Sequence, residues 1–301
     1  MRRTLTTTGL VLIVGLLAGP ALRAQSGVYS AELLSTLRRA ATLSPGDLPV
    51  AVHVASLNPF SVPMSFVVEG GSAEQQVRAA NPVFQIRFPR GWIMVDASVD
   101  RALAKSTTFD DGLYRRVHAA LRDARLVVVT HEHADHAVGI LRSPYLAQIQ
   151  RHALLTRAQV RELMEHPNNP TIRLDSATAA RYLTIDYETF VPIAPGVVLL
   201  KAAGHTPGSQ MIYVRLSSGQ EIVLAGDVAW NSVGVETQRQ KPEQSTRDFG
   251  GEDRAAIAEQ LRWLHDVAAP RTVVVVAHDA ARIETLVRRG VLRDGLDLSR
   301  P

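Results

Sequence analysis

Six consecutive residues, His131-Glu132-His133-Ala134-Asp135-His136, place His131, His133, Asp135 and His136, four metal-competent side chains besides Glu132, in one turn of chain directly after the apolar run Leu126 to Thr130. The sequence contains no cysteine, and imidazole and carboxylate are the donors Zn²⁺ takes when thiolate is absent. Further donors follow the same pattern. His205 lies in Ala203-Gly204-His205-Thr206-Pro207-Gly208 after Val197 to Ala202, Asp227 follows Ile222 to Gly226, and His278 ends Thr272 to Ala277. One histidine at a strand end is an ordinary polar residue. Five of the ten histidines and two aspartates, each just past a short apolar run and in turns marked by Gly or Pro, imply a buried metal site. His53, His118, His152, His166 and His265 lack that setting and read as surface or core residues.

The elements that must carry these donors alternate between strand and helix. Residues 31–41 predict a short helix; Val50 to Leu57 and Phe66 to Glu69 predict strands separated by a Pro-rich loop, Asn58 to Met64. Val83 to Phe88 and Trp92 to Asp96 predict a hairpin, and residues 110–123 an amphipathic helix feeding the strand that ends in the histidine cluster. Helices are expected over 137–150 and 158–166, then a meander of Tyr182 to Tyr187, Val197 to Ala202, Met211 to Leu216 and Glu221 to Ala225. Residues 231–251 are polar and read as a long functional loop. A helix over 252–268, the strand to His278 and a closing helix to about Arg289 complete the chain. Apolar residues in the two unusual loops, Phe60 and Met64 above all, are the candidates for contacting the apolar part of a substrate.

Residues 1–24 read as a signal peptide: Arg2-Arg3, an apolar stretch from Gly9 to Leu22, then Leu22-Arg23-Ala24 before Gln25. The apolar stretch is shorter than the ~20 residues a membrane span needs, so a periplasmic or secreted protein with no stable membrane anchor is expected. The formal net charge of +4 owes three positive charges to Arg2, Arg3 and Arg23. The remaining body, residues 25–301, is read as one domain. It is nearly neutral and carries no electrostatic footprint for nucleic acid. A small-molecule substrate is expected, with oligomeric state left open.

With the donors and the β-then-α order in place, the chain from about Phe84 to Val291 resembles the metallo-β-lactamase superfamily through its H-x-H-x-D-H signature at 131–136. The resemblance implies an α/β fold, a four-layered αββα sandwich with a dinuclear zinc site at one edge. It implies that His131, His133 and His205 hold one Zn²⁺, that Asp135, His136 and His278 hold the other, and that Asp227 bridges them. Asp96 would support the His-rich loop.

Within the superfamily, the β-lactamases resembling this set usually carry Cys or no bridging carboxylate where Asp227 stands. Diiron relatives have Glu in place of His133, and glyoxalase II-like enzymes carry a sizeable helical domain after the last histidine. The resemblance to acyl homoserine lactonases is better, through Asp227 and the final His278-Asp279 pair. Those enzymes have a catalytic Tyr three positions after the bridging Asp, where this chain has Trp230. The expected activity is therefore opening of a lactone or related cyclic ester by a metal-bridging hydroxide, with Asp135 moving the proton and Trp230 in the position of the Tyr. Hydrolysis of β-lactam amides is the alternative. A scaffold protein that had lost catalysis would be expected to lack donors, and a phosphodiesterase or nuclease to carry a basic groove.

Overall fold

The computed structural model describes residues 28–104 and 109–299; the expected signal peptide lies outside them. The chain begins α1 (Leu33–Ala40), β1 (Ala51–Pro63), α2 (Met64–Val67), β2 (Gln76–Arg87), β3 (Trp92–Val95), α3 (Asp111–Asp123) and β4 (Leu126–Val128). There follow α4 (Ala134–Leu141), α5 (Leu146–Ile149), β5 (Ala153–Thr156), α6 (Arg157–Glu165), α7 (Ser176–Ala179), β6 (Leu183–Ile185) and β7 (Phe190–Ala194). The remainder is β8 (Val197–Lys201), β9 (Gln210–Arg215), β10 (Glu221–Leu224), α8 (Ser232–Thr237), α9 (Glu243–Arg247), α10 (Arg254–Val267), β11 (Thr272–Val275), α11 (Ala280–Arg288) and β12 (Arg293–Asp294). Helices start where the sequence supplies a capping oxygen. Asp110 accepts from Leu113 N at 2.9 Å, Asp279 accepts from Arg282 N at 3.0 Å, and Thr156 with Gln159 forms a capping box.

The strands form two sheets, ordered β12-β1-β2-β3-β4-β5-β6 and β11-β10-β9-β8-β7. Between them lies an apolar layer in which Val52, Ile86 and Val128 of the first sheet meet Val197, Ile212 and Leu224 of the second. The outer face of the first sheet packs Val127 and Met94 against Val117 and Leu121 of α3 and Leu163 of α6. That of the second packs Val198 and Tyr213 against Leu37 of α1 and Leu261 of α10. Strands covered on both faces need apolar side chains at every position, which is why β8 reads Val-Val-Leu-Leu rather than alternating. The result is the αββα sandwich.

Five expectations are corrected. Asn58 to Met64 is not a loop: β1 continues through Pro63, with a register shift between Leu57 and Phe60 that absorbs Asn58 at φ 50° and Pro59, and Met64 opens α2. A bulge requires no ladder hydrogen bond there, so proline does no harm. Phe66, expected in a strand, lies in α2. The strand near Tyr182 to Tyr187 does not open the meander, because β6 pairs parallel with β5 at the edge of the first sheet. The meander instead opens with β7, which carries Pro192 at the sheet edge where proline is tolerated. Residues 231–251 contain α8 and α9 and bury Val235, Lys241 and Thr246. The helix expected over 137–150 breaks into α4 and α5 around Ser143-Pro144, a proline being unable to continue it.

His118 is core: Nδ1 lies 2.9 Å from Ser143 Oγ, and Tyr114 packs edge-on at 4.2 Å. Burial pushes its imidazole down to about 4. A histidine whose folded pKa is depressed contributes fully above the unfolded value near 6.5, and its contribution is lost as pH falls toward the folded value, at most about 3 kcal/mol. His118→Gln should therefore lose less stability than the parent between pH 7 and pH 4.5 in urea unfolding, with metal content unchanged. Equal losses in the two proteins would count against this origin of acid sensitivity.

Candidate metal centre

The donors leave the C-terminal ends of β4, β8, β10 and β11, which share one edge of the sandwich. Thr130 ties the two sheets together there, its carbonyl accepting from Gln210 N at 2.8 Å. Two glycines permit the close approaches. A Cβ at Gly139 would meet Ala97 O at 2.1 Å, so only glycine lets α4 lie against the turn after β3. Gly226, at φ 54°, turns the chain into Asp227 beside Thr130, where a Cβ would meet the Thr130 side chain at 2.9 Å.

Three donor groups form, each with its atoms within 4.8 Å: His131, His133 and His205; His131, His136 and Asp227; Asp135, His136 and His278. His205 Nε2 lies 3.1 Å from His133 Nδ1, His136 Nε2 lies 3.4 Å from Asp227 Oδ1 and 3.6 Å from Asp135 Oδ2, and His278 Nε2 lies 3.4 Å from Asp135 Oδ2. Two ligands of a tetrahedral zinc are about 3.3 Å apart, so the spacing fits. His131 Nε2, His136 Nε2 and Asp227 Oδ1 are buried with no hydrogen-bond partner among the described residues. A buried lone pair of that kind is costly unless something takes it, and all three point into the donor groups.

The opposite ring atoms are held. His136 Nδ1 meets Asp96 Oδ2 at 2.9 Å, His278 Nδ1 meets Ala80 O at 2.8 Å, His131 Nδ1 meets Thr130 Oγ1 at 3.1 Å and His205 Nδ1 meets Glu252 Oε1 at 2.5 Å. Such contacts fix the tautomer that leaves the other nitrogen for a metal. Asp96 does more: at φ 62° and fully buried, it also accepts from Thr130 N at 2.6 Å.

Electrostatics divide the cluster. Burial, with neighbouring imidazoles, drives His131 and His133 well below the ordinary histidine value, and burial with Lys241 lowers His205. Burial also opposes charge on His136 and His278, but Asp135, Asp227 and Asp96 hold His136 well above its ordinary value, and Asp227 with Asp135 raises His278. Burial would raise Asp227; the charged imidazoles of His278 and His136 beside it instead hold it far down. Burial pushes Glu132, which accepts from Thr206 Oγ1 at 2.9 Å, up to about 7.

The structure brings all seven expected donors and Asp96 together. Asp135 is the donor that reaches solvent, with a side chain 33% exposed against 9% for His278 and 4% for Asp227. Trp230 does not stand in for a hydroxyl aimed at substrate. Its Nε1 donates to Asp227 Oδ2 at 2.8 Å, and the ring is buried. Met64 packs beneath it with Val67 and Val68. Phe60 lines an open groove of about 770 Å³ with Arg78, Ile283 and Glu284, and none of the seven donors lines that groove.

Sequence reasoning passed over two aromatic residues. Phe66 stacks on Trp230 at 5.4 Å between ring centroids, and Phe249 meets Trp230 edge-on at 5.8 Å and lies 6.3 Å from His133. Both remain part-exposed, at 38% and 40%, and form an apolar rim beside the donors. Their only sequence signal is a large apolar side chain in a polar setting, clear for Phe249 alone. Lys241 and Glu252, buried behind His205, were also passed over.

Residues 91–278 match the family described as a beta-lactamase superfamily domain, a span containing Asp96 and all seven donors. An N-acyl homoserine lactonase of Bacillus sp is 22% identical over 245 residues, covering 79% of this chain and 85% of that protein. Among solved structures, a quorum-quenching N-acyl homoserine lactone lactonase superposes with a TM-score of 0.61 at 17% identity, covering 80% of this chain and 97% of its own. A dizinc quorum-quenching lactonase in complex with a product, N-hexanoyl-L-homoserine, gives 0.54 at 12% identity, covering 77% and 90%. Because the matched span carries the whole donor set on the two-sheet frame that these structures share, the chain belongs to the metallo-β-lactamase superfamily and resembles its lactonases.

Proposed function

We propose that the protein is a dinuclear zinc hydrolase that opens lactones of the N-acyl homoserine type. The observation that carries this reading is Asp227, a buried carboxylate with Oδ1 facing His136 at 3.4 Å and Oδ2 facing His205 at 3.5 Å, so that it stands between both histidine sets. His131, His133 and His205 would hold one ion, and Asp135, His136 and His278 the other. When bound, such a pair supplies Lewis acidity toward a carbonyl and brings the pKa of water down to near ~7.

The protein's own residues do the rest. Trp230 holds the Asp227 carboxylate in place through its N–H. Asn58 Nδ2 donates to Asn81 Oδ1 at 2.7 Å, and Asn81 Nδ2 donates to Asp135 Oδ2 at 3.1 Å. Asp135 is thereby fixed on the solvent side, where its carboxylate would take the proton given up by the water that adds to the carbonyl and deliver it to the departing alkoxide as the lactone C–O bond breaks. Phe66 and Phe249 offer an apolar surface to the acyl chain. The lactonase relative supports the choice of substrate class.

The test compares kcat/KM for N-hexanoyl homoserine lactone and benzylpenicillin on zinc-loaded protein. The lactone is expected to lead by at least about tenfold, or about 1.4 kcal/mol of differential transition-state stabilisation. A tenfold lead for the penicillin would replace this reading with β-lactam hydrolysis.

A further inference from the structure

On the far side of the His205 ring the chain buries a complete ion pair. Lys241 Nζ lies 2.6 Å from Glu252 Oε1, with neither side chain reaching solvent, and that same oxygen is the partner of His205 Nδ1 at 2.5 Å. The ammonium also donates to the main-chain oxygen of Asp227 and, at 3.3 Å, to that of Val228, and it sits 5.1 Å over the Trp230 ring. Two desolvated charges are a poor way to gain stability, since apolar side chains of similar volume often serve as well or better. Their contacts suggest another reason for them: one arm of the pair ends on a donor of the first set, the other on the backbone of the bridging carboxylate.

We infer that Lys241 and Glu252 are a positioning pair for the metal centre. Glu252 accepts from His205 Nδ1 and so leaves the Nε2 lone pair for the ion shared with His131 and His133. Lys241 pairs with the Glu252 carboxylate at 2.6 Å, holding it against His205, and anchors the Asp227 main chain at the start of the segment that leads to Trp230. Glu252 therefore governs one ion, and Lys241 reaches both through Asp227. The inference rests on the two-ion reading of the site and is independent of which bond is hydrolysed.

The experiment is a zinc titration of metal-free protein against a chromophoric chelator, giving two stepwise constants, together with the thermal midpoint of the metal-free form. The parent must bind two ions; if it does not, the two-ion reading itself fails, whatever the variants do. Glu252→Gln is expected to weaken one constant about 10- to 100-fold and leave the other within about threefold. A pair with a purely structural role would lower the metal-free midpoint and leave both constants unchanged, which would overturn the inference. The double variant Lys241→Met/Glu252→Gln removes both charges and leaves neither unpaired. It is expected to weaken both constants, and double-variant protein that binds zinc as the parent does would equally overturn the inference.

Discussion

Asp227→Asn should lower kcat/KM by about a thousandfold or more while leaving the fold intact, the estimate following from several kcal/mol of lost charge stabilisation at tenfold per 1.4 kcal/mol. The amide has the shape of the carboxylate, and its oxygen can still accept from Trp230 Nε1, now 2.8 Å from Oδ2. Its NH₂ group would then face His136, where Oδ1 now lies 3.4 Å from Nε2 with no other partner among the described residues. A donor would replace the lone pair that a second ion requires. Elemental analysis should find close to two zinc ions per chain in the parent and no more than one in the variant. A variant that kept two ions, or more than a tenth of the activity, would mean that Asp227 does not bridge.

Stripping the metal with a chelator should abolish turnover and lower the thermal midpoint by at least about 5 °C at pH 7. Ligand at a hundred times its dissociation constant contributes about 2.7 kcal/mol, and a domain of this size shifts by roughly 2–4 °C per kcal/mol. The gap should widen with pH. Without metal, carboxylates hold His136 well above its ordinary value and His278 above it, despite burial. A raised histidine contributes stability that is complete below the unfolded value near 6.5 and is lost as pH climbs through the folded value. His131, His133 and His205 are shifted the other way and add no pH dependence above 6.5. Between pH 6.5 and 8 the metal-free protein therefore weakens, while zinc, which must displace the same protons, binds more tightly. A gap that narrowed over that range would contradict the assignment of His136 and His278 as ligands.

The donor set was legible in the sequence because it is written locally. Each of His131, His205, Asp227 and His278 follows an apolar run that must be a covered strand, and strands that end at one edge of a sandwich bring their next residues together. The longer helices were legible through their periodicity, and the structure adds the capping oxygens of Asp110 and Asp279 at their starts. What the tertiary structure decided depends on partners distant in sequence. Proline at 59 reads as a strand breaker until β2 supplies a partner strand that tolerates a bulge, and nothing within Leu183–Ile185 states that it pairs with β5 rather than β7. The polar stretch 231–251 reads as a solvated loop because its side chains look hydrophilic, yet Lys241 is buried against Glu252 and the main chain of Asp227. Phe66 and Phe249 lie 183 positions apart and meet only across Trp230. Chain-local physics places each donor at the end of its strand; the surroundings that aim the donors arise from contacts that exist only once the two sheets have packed.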